Sequence, residues 1–337
     1  MTISHNGALA CPDPTPQERL LVTAVVQGAE YACSALTVED LVEMTDPAHV
    51  IRADVIRDLL LGRHGELDPR GVRVSGARIV DRLDLDHVTA AAGVELLGCV
   101  ITEPITAEYA VLPRLNLRGS RTTALHADGL RITGELILER VRARWDGDKG
   151  TIRLILAHIG GQLDLSDAEI TNTGGAAVLA DRLHVEADVF LRRTHASGAG
   201  TIGAARLVNA RIGGQLECSD TRTINTTGPA VLADSIRVGN NLSLIDVQAA
   251  GSGDLGTVRL VNARVGGQLQ WSGGKVVNTS GPALIADGIH VDTSMAIRDL
   301  NASGSDAKGT VQLPAARVDG QIGWPTGSWP RVPPAPW

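Results

Sequence analysis

The chain has 337 residues, of which 43% are hydrophobic but only 2% aromatic, so its core must be built from Val, Ile, Leu and Ala in narrow stacked layers. A formal net charge of −7 gives no global field that would draw nucleic acid or an anionic membrane. The cysteines (Cys11, Cys33, Cys99, Cys218) are scattered without a CxxC pair. With no apolar stretch near the ~18 residues of a membrane span and no signal-peptide pattern at the start, the expectation is a cytoplasmic protein without membrane contact.

In chain order, residues 1–16 show no periodicity and are expected to be disordered. Residues 17–70 read as a helical cap. Thr37 with Asp40 resembles a capping box before LVEM. Asp46-Pro47 places an N-cap and an N1 proline ahead of a second helix with Ile51, Val55, Ile56, Leu59 and Leu60 on one apolar face. Residues 71–324 carry the repeats described next. Residues 325–337 form a Pro/Trp-rich tail that cannot continue a strand ladder and is expected either to cover the last coil or to be disordered.

The phrase IGGQLDLS at Ile159 returns at Ile212, Val265 and Val318, each fifty-three positions on, and Gly150, Gly203, Gly256 and Gly309 keep the same step. Each unit divides into nearly equal halves of twenty-six and twenty-seven: Ile132, Ile159, Val185, Ile212, Val238 and Val265 align as one apolar column, with Leu136, Leu163, Val189, Leu216, Leu242 and Leu269 four residues later. A strand with one buried face, recurring once per coil, predicts an all-β solenoid, a right-handed parallel β-helix of about ten coils. Volumes test that register. Ala127, Leu154, Ala180, Leu207, Ala233 and Leu260 alternate small and large, while Leu130, Ala157, Leu183, Ala210, Ile236 and Ala263 alternate in the opposite sense. Close packing between layers demands this compensation.

The blocks HVIRADVIRDLLLG, DPRGVRVSGARI and the repeated ARIGGQLxxS…GPALxADGIxV resemble an actinobacterial group of pentapeptide-repeat-like solenoid proteins, over residues 16–324. Members are often labelled oxidoreductase or membrane-associated oxidoreductase. The resemblance thus implies the solenoid fold and carries a redox label, which no cofactor motif here supports. Gly251, Gly253 and Gly256 spell GxGxxG, but in a Gly/Ser-rich corner rather than ahead of a helix.

No GxSxG or HExxH signature is present, and no metal and no cofactor are expected. The Asp column (Asp128, Asp181, Asp234, Asp287) skips every second coil, a gap of ~9.6 Å that one cation cannot bridge. It is expected to bond its own turn, as are Asn172, Asn225 and Asn278. A second column is harder to assign to structure alone: Arg131, His158, His184, Arg211, Arg237, Arg264, His290 and Arg317 repeat at one exposed point, with Arg78 counted into the column upstream. Stacked cations at ~4.8 Å repel by about 1 kcal/mol per pair even in water, so acidic neighbours or an anionic ligand must offset them. Four residues on, Glu135, Gln162, Asp188, Gln215, Asn241, Gln268, Ser294 and Gln321 are expected on the same face as an amide ladder, with Glu135 and Asp188 pairing to the cations. Phe190, Trp271, Met295 and Tyr109 are the candidates to line an apolar cleft.

These observations point to a non-redox binding scaffold. Its partner is a protein or polymer on the sheet face or in the cap groove, or an apolar small molecule, and not nucleic acid. The alternative is a cofactor-independent, cycloaddition-type cyclase of a polyketide natural-product pathway, working by proximity alone. A homodimer stays open.

Overall fold

The structure, a computed structural model, describes residues 13–323. These residues form a parallel β-solenoid of about 11 turns, with helix confined to short N-terminal elements. Each coil has four sides, and stacking them produces four parallel sheets, called faces here in the order the chain first meets them. Among the described residues, face 1 has 12 strands, from Tyr31–Ala32 to Ile322–Gly323, and face 2 has 11, from Val50–Arg52 to Asn301–Ser303. Faces 3 and 4 have nine strands each, beginning at Ile105–Thr106 and Val111–Leu112.

The coils come in two sizes. Between equivalent face-1 positions, the step is twenty-two from Val72 to Val94 and twenty-one from Leu115 to Leu136. From Leu136 to Leu163 it lengthens to twenty-seven, and from Leu163 to Val189 it is twenty-six. The added residues sit in the corner between faces 2 and 3: Arg121 to Leu125 is four residues, whereas Arg142 to Ile152 is ten and Glu169 to Val178 is nine. That corner is tied by buried asparagines. Asn225 Nδ2 donates to the carbonyls of Pro229 (2.7 Å) and Gly200 (3.0 Å), and its Oδ1 accepts from the Thr227 amide, as expected for a turn asparagine. Asn278 repeats the arrangement with Pro282, Gly253 and Ser280. The GxGxxG spelling falls in this corner, between strands Gln248–Gly251 and Val258–Arg259.

The opposed Ala/Leu columns flank the turn from face 3 to face 4 and are buried from Ala127 through Ile289. The turn is so tight that its third residue takes a positive φ in every coil, even at Tyr109 (54°) and Leu156 (58°), where a side chain resists it.

The Thr37–Asp40 capping box holds and starts α2 (Val38–Val42); Thr15 with Glu18 forms a second box, missed in the sequence, on α1 (Pro16–Val26). The segment after Asp46 differs from expectation. Pro47–His49 makes one 3-10 turn, Val50–Arg52 then pairs with Arg78–Val80 as the first strand of face 2, and only Ala53–Leu60 (α3) is helical. Ile51 is therefore a strand residue, buried as the helix reading required. The reason is edge protection: with Tyr31–Ala32 on face 1, the strand occupies sheet edges that a purely helical cap would leave open.

The Asp column is structural, though by a different bond from the one expected. Asp181 reaches the next coil, where Oδ2 takes Arg206 Nε (2.7 Å) and Oδ1 takes the Val208 amide (3.1 Å). Asp128 and Asp234 bind Arg153 with Ile155, and Arg259 with Val261, in the same way. At the fourth repeat Gln312 and Pro314 stand where the arginine and the amide donor would be. Asp181→Ala is expected to cost about 1–2 kcal/mol and Asp287→Ala close to nothing in urea unfolding. Equal costs at both sites would contradict the latch.

Candidate functional site

Face 4 carries the basic column in unbroken register. Arg131 pairs with His158, and the series continues through His184, Arg211, Arg237, Arg264 and His290 to Arg317. In each strand from Arg131 to His290 the next residue (Ile132, Ile159, Val185 and so on to Val291) points inward and is buried, and Val318 after Arg317 is half-buried, which turns the cation outward.

Two parts of the expected column are corrected. Arg78 is on face 2, between Val50 and Val100, where its guanidinium caps α2 by donating to the carbonyls of Leu41 and Val42. The face-4 residue above Arg131 is Val111. The amide row also does not share the face. Gln215 and Gln268 immediately precede face-1 strands Leu216–Glu217 and Leu269–Ser272, around the corner from the cations. No amide ladder forms among the described residues. Instead Asp188 Oδ1 accepts from the Gln215 backbone N–H (2.8 Å) and Asn241 Oδ1 from that of Gln268 (2.9 Å).

The acids that do meet the column lie two residues beyond its members. Glu186 Oε1 is 3.1 Å from His158 Nε2 and 3.6 Å from His184 Nε2. Asp319 is 3.0 Å from His290 Nε2 and 3.9 Å from Arg317 Nε, and Asp292 is 3.6 Å from His290. Sequence reasoning missed these residues, although His-Val-Glu at 184 and His-Val-Asp at 290 stand two repeat units apart.

Between the two acidic clusters the compensation stops. Arg211, Arg237 and Arg264 are exposed on three consecutive coils, and among the described residues none has a carboxylate within ion-pair distance. The residues two further on, where acids sit elsewhere, are Gly213, Gly239 and Gly266. Glycine is required there because a Cβ would lie 2.2, 2.3 and 2.5 Å from the carbonyl oxygen of the coil before. The result is a row of guanidinium groups beside a strip of bare backbone. It continues into an open groove of 470 Å³ lined by Ser235, Arg237, Asn262, Arg264, His290 and Arg317, among others.

The four apolar candidates are not brought together. Phe190 lies on the outside of face 1 under the Arg192 guanidinium, 4.1 Å from its ring centroid. Tyr109 is 60% exposed at a corner near the cap, stacked on His87. Trp271 and Met295 point into the solenoid on neighbouring rungs of face 1 and are buried. Only Trp271 lines the internal apolar cavity of 70 Å³ that runs among Leu216, Cys218, Leu242 and Leu260. Burial pushes the thiols of Cys99 and Cys218 up to about 12, so neither is a thiolate nucleophile.

No family model, no curated protein and no solved structure matches this chain. The solenoid is consistent with a pentapeptide-repeat-like fold, its early coils (Val72 to Val94, Leu115 to Leu136) approaching four pentapeptides in length. No helix among the described residues is long and apolar enough to cross a membrane.

Proposed function

We propose that the protein is a binding scaffold that holds an extended, carboxylate-rich polypeptide along face 4. The observation that carries this reading is the run Arg211, Arg237, Arg264, three cations in register with no carboxylate partner among the described residues. Such a row is self-repelling in isolation and is relieved by an anionic chain laid along it. The glycine strip lets that chain approach the backbone. Nucleic acid fits less well, since the chain carries −7 overall and, among the described residues, no aromatic side chain flanks these three arginines to stack a base. The cyclase reading is weaker, because the 70 Å³ interior cavity is far below the ~300–1,000 Å³ of small-molecule pockets. The unpaired Cys33, Cys99 and Cys218 suit a partner met in the reducing cytoplasm.

The test is fluorescence anisotropy of a labelled poly-glutamate peptide at low and physiological salt, with an oligonucleotide of equal charge alongside. Peptide binding should fall with salt, and Arg211→Glu with Arg264→Glu should weaken it about 100-fold or more at low salt. Unchanged binding in the double variant removes face 4 as the site, and tighter binding of the oligonucleotide overturns the choice of partner.

A further inference from the structure

We propose that His158, His184 and Glu186 form a surface site for a divalent transition-metal ion of the zinc class. The three donors come together through the coil geometry. His158 and His184 are register partners on adjacent coils of face 4. Glu186 follows His184 by two residues, so it leaves the strand on the same side. Its neighbour on the His158 coil is Gly160, held to glycine because a Cβ there would meet the Thr133 carbonyl oxygen at 2.4 Å. With no side chain at Gly160, the carboxylate has room to lean toward both imidazoles.

The distances suit a metal. Glu186 Oε1 lies 3.1 Å from His158 Nε2 and 3.6 Å from His184 Nε2, and all three donor atoms fall within 4.8 Å of one another. Bonds of ~2.0–2.1 Å in tetrahedral geometry put neighbouring ligand atoms ~3.3 Å apart, so two edges of the triangle are already close to that length. The imidazole rings are tilted by 48° at a centroid separation of 4.6 Å, rather than stacked face to face, which leaves both Nε2 atoms free to converge on one point. All three side chains are 39–51% exposed, so the fourth position opens to solvent. Two imidazole nitrogens and one carboxylate oxygen are the ligand types of zinc, copper and nickel; magnesium and calcium ask for oxygen alone.

A second cluster on the same face repeats half of this design. His290 and Asp292 occupy the positions of His184 and Glu186 two repeat units further on, with Asp319 from the following coil as the third donor. It offers a single imidazole, so the softer metals should prefer the first site. The proposal does not depend on the anionic-partner reading, and it is tested with the metal alone.

Untagged, chelator-treated protein is titrated with zinc chloride by calorimetry, and with cobalt(II) while the visible absorption that marks four-coordinate cobalt is followed. The expected result is one dominant site, with affinity falling as pH drops because protons compete for the imidazoles. His184→Ala and Glu186→Gln should each weaken that site by at least about tenfold, and His290→Ala should leave it unchanged. These side chains are exposed, and circular dichroism checks that the variants remain folded. A zinc isotherm that is the same in wild type, His184→Ala and Glu186→Gln, or one dominated by a site lost in His290→Ala, overturns the assignment.

Discussion

Replacing Trp271 by alanine is expected to destabilise the solenoid by about 3–5 kcal/mol in urea unfolding, the range for removing a large buried aromatic. The indole is 1% exposed, stands between Leu244 and Ile297 on neighbouring rungs of face 1, and already borders a 70 Å³ cavity that its loss would enlarge. Its Nε1 is buried and has no hydrogen-bond partner among the described residues. An unsatisfied buried donor costs about 1–3 kcal/mol, while trimming indole to phenyl opens a small cavity worth about 1 kcal/mol. Trp271→Phe should therefore be near neutral or stabilising. A repeat protein couples each coil mainly to its neighbours, so hydrogen exchange in the alanine variant should accelerate first around residues 242–297 and leave the early coils protected. If Phe costs as much as Ala, the packing account of this residue fails.

The second large effect is expected at the cap. Glu18 is fully buried, and its carboxylate receives the Thr15 amide, the Arg52 amide (3.0 Å) and the Arg52 guanidinium (2.7 Å), joining α1 to the first strand of face 2. Burial alone would raise its pKa, but the Arg52 guanidinium and the two amides together outweigh this and hold it below the ordinary value of 4.5. A depressed carboxylate contributes stability that is fully present above the unfolded-state value and lost as pH falls through the folded-state one. Glu18→Gln should cost about 2–4 kcal/mol at neutral pH, discounted because the Arg52 side chain is 17% exposed. It should also flatten the decline of Tm below pH 4.5 relative to wild type. A parallel decline in both proteins would show that Glu18 does not carry the acid sensitivity of the cap.

The solenoid, its register and the outward row on face 4 were legible because one double-coil period repeats without a gap from Ala127 onward. The errors arise where that period is not the relevant quantity. Arg78 stands one full period before Arg131, but the early coils are shorter, so two coils above Arg131 the chain is at Thr89, which bridges to Val111. The amide row was assigned to the cations' face because spacing along the chain does not reveal a corner, and four residues are enough to turn one. The role of Glu186 and Asp292 could have been read by following the column two residues on, where acids appear beside histidines and glycines beside arginines. The strand at Val50–Arg52 was hidden because Ile51 satisfies a helical apolar stripe and a strand equally well. The partnerless indole of Trp271 depends on how four faces enclose space, which no linear pattern encodes. Expectations for the Pro/Trp tail, and for residues 1–12, lie outside the described residues.

The opposed alternation of Ala127, Leu154, Ala180 and Leu207 with Leu130, Ala157, Leu183 and Ala210 gives the rod a parity. Each coil stacks on one of the opposite kind, and the Asp–Arg latches and the nine- and ten-residue corners alternate in step with it. Loss or gain of a single coil sets like against like, with leucine facing leucine at one position and a void at the other. Loss or gain of two restores every contact. The length of this molecule is thus quantised, available to evolution or to engineering only in whole double-coil units, each adding two rungs and ~9.6 Å.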